Sequence, residues 1–156
     1  MDKNKLMQKA IRLAVENVVS GKGGPFAALV ARDGKIIATG TNAVTSANDP
    51  TAHAELVAIR KACAKLGSFQ LTGCEIYSTC EPCPMCLGAI YWARPAHVYF
   101  AALTEDAAQA GFADKSIGEQ MRLPYGMQQI SIERLSHGDA DLPFQAWREK
   151  TDKIVY

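Results

Sequence analysis

CEIYSTCEPCPMCLGAIYWARPAHVYFA, residues 74–101, contains a strand, a helix and a second strand in direct succession. Ile76, Tyr77 and Thr79 are residues that suit a pleated, half-buried surface, so 74–79 is expected to be a strand. Residues 82–93 follow as a helix. Arg94-Pro95 stops it, because proline pushes the residue before it out of the helical region. Residues 96–101 return to strand. Two strands joined through a helix lie in one sheet with the helix packed on a face.

Working outward, residues 5–19 place Leu6, Ala10, Leu13, Ala14 and Val18 at helical spacing, and Ser20-Gly21-Lys22-Gly23-Gly24-Pro25 ends that helix. Residues 26–31 and 35–41 are apolar runs separated by Arg32-Asp33-Gly34, where Asp-Gly signals a hairpin. Asp49 can cap a further helix with Pro50 in its first turn. Ala52, Leu56, Ile59, Cys63 and Leu66 form its stripe, and Gly67 is its stop. Downstream, 104–110 predicts a short helix, 129–135 alternates as a fifth strand, and 144–153 predicts a closing helix. Residues 111–126 carry no clear period. The expectation is one domain over 1–156, a three-layer α/β/α sandwich on a mixed five-stranded sheet.

The 156 residues are 48% apolar and 21% charged, values of an ordinary folded domain. A formal charge of +1 gives no one-signed field to attract a polyanion, so the composition argues against nucleic acid as a partner. The Lys3, Lys5, Lys9 and Arg12 series reads as a solvated helix face. No signal peptide and no membrane-length apolar run is visible, which points to a cytoplasmic protein with no membrane partner. Three of the five cysteines crowd into residues 80–86, a pattern of metal ligation more than of disulfides.

Cys83 and Cys86 stand three apart at the start of a helix, where one face and the positive dipole end favour two thiolates on one ion. His53 opens the other long helix. Two thiolates and a neutral imidazole match the tetrahedral N/S preference of Zn²⁺, one ion per subunit, and leave a fourth position vacant. A vacant position separates catalytic zinc from structural zinc, since water there is acidified to a pKa of about 7. Glu55, two residues after His53, can fold back from the first turn and carry the proton. Each half alone is weak: a Cys-x-x-Cys pair is often a zinc knuckle, a redox motif or buried structure. A four-ligand structural site using Cys80, Cys74 or His97 is the competing arrangement. Pro82 separates Cys80 from the helix, which argues against the Cys80–Cys83 pair as the chelate.

Together the halves match the His-x-Glu…Pro-Cys-x-x-Cys signature of zinc deaminases. Over nearly its whole length the chain resembles the cytidine deaminase-like superfamily. Gly24-Pro25-Phe26, Asn42, residues 49–55, residues 80–94, Ala110-Gly111-Phe112 and residues 143–148 are most similar to the bacterial guanine deaminases. That resemblance implies hydrolysis of guanine to xanthine and ammonia, a small purine base as ligand, and Glu55 as the carrier of every proton. It implies Asp114 as an acceptor on the substrate's amino side with a share in proton transfer. Asn42 and Phe26 are implied pocket residues, with Trp92 a further apolar wall. It also implies a homodimer in which about residues 140–156 are swapped and Tyr156 closes the neighbour's site; the apolar end Ile154-Val155-Tyr156 agrees with some cover. Ala27 stands where the family often has glycine, adding a methyl near the pocket wall. Deaminases of transfer-RNA adenosine or free cytosine share the same zinc core, and a non-catalytic zinc-stabilised binding module is the reading from another class.

Overall fold

The computed structural model describes residues 1–112 and 114–156, and of Asp114 the backbone alone. The chain forms two compact units, Met1–Gly118 and Glu119–Tyr156.

The first unit begins with α1 (Lys3–Val19), whose amide of Lys5 is capped by the Asp2 side chain at 2.9 Å. The strands β1 (Ala27–Arg32) and β2 (Lys35–Thr41) follow. Asp33 and Gly34 both take positive φ, 50° and 69°, as a two-residue hairpin turn requires. A short helix, α2 (Val44–Ala47), precedes α3 (Ala54–Leu66). Then come β3 (Glu75–Cys80), α4 (Pro84–Ala93), β4 (His97–Ala102) and α5 (Thr104–Gln109). The helix α6 (Asp114–Met121) runs across the boundary, and the second unit contains α7 (Leu142–Glu149).

The sheet order is β2-β1-β3-β4, with β1 antiparallel to both neighbours and β3 parallel to β4. Period-two alternation divides its side chains between two cores. Leu29, Ala31 and Tyr77 pack with Leu6 and Ala10 of α1 on one face. Ala28, Val30 and Ile76 pack with Ala54, Ala58 and Ala62 of α3 and Ile90 and Ala93 of α4 on the other. The buried seam of α3 is mostly alanine, so this helix lies close on the sheet. Gly40 of β2 makes that approach possible: a Cβ there would sit 2.2 Å from the Ala54 carbonyl oxygen and 2.5 Å from the Ala58 nitrogen.

Three expectations need correction. Among the described residues the sheet has four strands, not five, because residues 129–135 form no ladder. Alternation says which face a strand would bury, but a strand exists only where its amides find a neighbour's carbonyls, and this segment leaves Ile130 75% and Leu135 91% exposed. The second long helix starts at Ala54 rather than near Asp49. Asp49 instead accepts from the Thr51 amide at 2.8 Å and hydroxyl at 2.7 Å, a local turn, and His53 takes the N-cap position with extended backbone. The last helix begins at Leu142 and ends at Glu149, earlier than the 144–153 expected.

Candidate active site

Cys83 is the N-cap of α4 and Cys86 lies in its first turn, with Pro84 between them. His53 is the N-cap of α3, the neighbouring helix on the same sheet face. The two helix starts therefore converge. The His53 Nδ1 atom is 3.5 Å from Cys83 Sγ and 3.6 Å from Cys86 Sγ, and the three ligand atoms lie within 4.8 Å of one another. For Zn–S of about 2.3 Å and Zn–N of about 2.0–2.1 Å at a tetrahedral angle, the S···N edge is about 3.6 Å. The residues thus fit zinc in both donor chemistry and span.

Among the described residues no fourth His, Cys, Asp or Glu joins this cluster. The three alternatives named from the sequence are engaged elsewhere. The Cys80 thiol donates to the Leu103 carbonyl at 3.5 Å, the Cys74 sulfur is directed at the Thr72 carbonyl at 4.0 Å, and His97 stacks on Tyr99 with ring centres 6.0 Å apart. Without metal the two ligand thiols share their protons unequally. A hydrogen bond from Cys86, aided by His53, pulls the Cys83 thiol down to about 4 against the effect of its burial. Pairing with Cys83, burial and the nearby Glu55 charge push the Cys86 thiol well above the ordinary thiol range. The pair gives up one proton readily and holds the second.

Glu55 is 6% exposed in the first turn of α3. Its Oε1 accepts from Ser78 Oγ at 3.0 Å and its Oε2 from Cys86 Sγ at 3.4 Å, so the carboxylate does reach back to the ligand cluster. Burial raises its pKa above the usual carboxylate value, opposed by hydrogen bonds from its own amide, Ser78 and Cys86. His53, Glu55 and Cys83 face a cavity of about 350 Å³ whose wall includes Phe26, Asn42, Thr45, Cys80 and Phe112. That volume suits a small ligand.

Of the residues singled out from the sequence, Phe26 and Asn42 line this cavity, and Phe26 meets Phe112 edge-on with ring centres 4.7 Å apart. Trp92 sits on α4, 63% exposed and outside the lining. The side chain of Asp114 lies outside the described residues, and Tyr156 belongs to the second unit, 66% exposed. Two residues went unmarked. Asn17 of α1 donates from Nδ2 to the Gly24 and Asn42 carbonyls, each at 2.9 Å, and fixes the cavity wall; an asparagine on the apolar stripe was its only signal. Ser78 carries no sequence signal beyond its place in a strand.

The pattern of the cytidine and deoxycytidylate deaminase zinc-binding region matches residues 1–102. The chain belongs to the cytidine and deoxycytidylate deaminase family. It is 50% identical to the guanine deaminase of Bacillus subtilis over 156 residues, all of both chains. The X-ray structure of guanine deaminase from Bacillus subtilis superposes with a TM-score of 0.98 over 100% of this chain and 99% of that one, at 50% identity. A guanine deaminase from Nitrosomonas europaea gives 0.69 at 34% identity, over 72% of this chain and 65% of that one. The tRNA-specific adenosine deaminase of Aquifex aeolicus is 41% identical over 66% of this chain and 68% of its own. Zinc is thus the metal of this deaminase fold, and His53, Cys83 and Cys86 are positioned to bind it.

Proposed function

We propose that this chain hydrolyses guanine to xanthine and ammonia with one Zn²⁺ held by His53, Cys83 and Cys86. The observation that carries the substrate is the full-length match to a guanine deaminase, which takes in Phe112 and the C-terminal unit as well as the zinc core. The tRNA-specific adenosine deaminase matches about two thirds of the chain.

When bound, zinc acts as a Lewis acid that lowers the pKa of water by many units. The protein does the rest with few groups. Glu55 takes a proton from the attacking water as the water oxygen bonds to C2 of the purine and passes it to the adjacent ring nitrogen. It then takes the proton of the new C2 hydroxyl and passes it to the amine, so that the C2–N bond breaks, the C2 carbonyl forms and ammonia leaves. Burial suits it to hold a proton between those steps. Asn42 is a donor toward the base rather than an acceptor: its Oδ1 already accepts from the Gly24 amide at 3.3 Å and the Val44 amide at 3.4 Å, which leaves Nδ2 for an oxygen or ring nitrogen of guanine. The Phe26–Phe112 pair offers the base an apolar wall. Asp114 is the acceptor for the substrate's amino side, and Trp92, exposed on α4 outside the cavity lining, makes no substrate contact.

A homodimer completes this reading, with the C-terminal segment crossing to a second copy and Tyr156 closing its site. In support, Phe144, Leu135, Ile154, Val155 and Tyr156 are all at least 63% exposed, an apolar set that calls for cover. The purified chain should release ammonia from guanine and not from cytosine, adenine or guanosine. Turnover of a tRNA anticodon loop with none of guanine would overturn the substrate assignment.

A further inference from the structure

Ala28, Val30 and Ile76 line the sheet face that receives α3 and α4 with apolar side chains. Ser78 follows Ile76 on that face of β3, opposite Ala28, and is 2% exposed. A buried hydroxyl costs stability unless it is hydrogen-bonded, and a small apolar residue would fill the place without that demand. The bond it makes is to Glu55 Oε1 at 3.0 Å.

The two oxygens of Glu55 are therefore in different surroundings. Oε1 is tied to the sheet; Oε2 lies 3.4 Å from the sulfur of Cys86, on the side of the metal ligands. The Cys86 contact needs a thiol proton, and a zinc-ligating cysteine has none. Ser78 is thus the side-chain donor to Glu55 that survives metal loading among the described residues. A terminal carboxylate torsion is broad and has no preferred well of its own, so something outside the side chain must set it.

We propose that Ser78 is a positioning residue for the deamination, fixing Oε1 of Glu55 so that Oε2 is aimed at the metal side of the cavity. The proposal rests on the deaminase reading above and deepens it. A proton carrier displaced by about 1 Å can lose roughly a hundredfold in rate, and a hydrogen bond to a charged group is strong enough to resist such drift.

The test compares zinc-loaded full-length wild type with S78A and S78T, reading zinc content, thermal midpoint, kcat and KM for guanine, and the crystal structure of S78A. The expected result is one zinc per chain in all three and KM within about twofold. In S78A kcat falls by roughly ten- to a hundredfold, and the Glu55 carboxylate takes more than one orientation. S78T, which keeps the hydroxyl, recovers most of kcat. A merely structural serine would lower the thermal midpoint and leave kcat alone, and that outcome, or a Glu55 that does not move in S78A, overturns the proposal. Should S78A fail to fold, S78C, with similar volume and a weaker donor, is expected to give a smaller loss of kcat, and no loss is again fatal. A wild type inactive on guanine sinks the substrate assignment, while the Glu55 orientation in S78A still judges Ser78.

Discussion

Glu55 and His53 are two residues apart, and the cap geometry separates their roles. His53 in extended N-cap conformation presents Nδ1 to the two sulfurs, whereas Glu55 one step inside the helix turns its carboxylate between Ser78 and Cys86. Glu55→Gln keeps the shape and removes the proton carrier. It should bind one zinc per chain and lose roughly 10²–10⁴ in turnover, checked by metal analysis beside ammonia release. Cys83 and Cys86 are legible in the sequence because their spacing is local, and His53 and Glu55 because with that pair they complete the signature of zinc deaminases. Ser78 was not, because its partner lies 23 residues away and is chosen by how β3 faces α3. Tyr77, on the opposite face, carries a separate pH effect: burial first, then its 2.7 Å bond to Glu75, raises its hydroxyl above the ordinary 10.0. Its stabilising contribution is whole below that ordinary value and is lost as pH rises through the folded one. Urea midpoints at alkaline pH should therefore fall less steeply in Tyr77→Phe than in wild type.

Among the elements, α3 carries both His53 and Glu55, and its distance from β2 is set at Gly40. Gly40→Ala would place a methyl against backbone atoms at 2.2 and 2.5 Å, so the helix must move away. An unfolding loss of about 1–3 kcal/mol is expected, of the size seen when a packed core is overfilled. Calorimetry measures it, and zinc affinity should weaken with it because His53 moves with the helix. The hairpin and the strand-helix-strand unit could be read from local signals such as Asp33-Gly34 and Arg94-Pro95. The missing fifth strand shows the limit of that reading. Residues 129–135 have the right alternation, yet pairing is a property of two segments and alternation describes one. The start of α3 escapes local reading for a related reason: Asp49-Pro50 is good cap chemistry, but the Asp49 carboxylate is taken by Thr51.

For the molecule as a whole, no helix among the described residues is long and apolar enough to cross a membrane. The apolar side chains of the second unit are instead an argument for a second copy. Light scattering should give twice the chain mass of 16.9 kDa, and removing Tyr156 should cut turnover while zinc content stays at one per chain. A monomer with full activity would contradict the swapped arrangement. Catalysis at this site depends on three protein atoms around one ion, and X-ray absorption at the zinc edge of the loaded protein tests that arrangement directly. Two sulfurs at about 2.3 Å and two nitrogen or oxygen neighbours, one of them replaced when an inhibitor or substrate analogue is added, are the result expected here. A third sulfur, or a shell that no small ligand can alter, would contradict it.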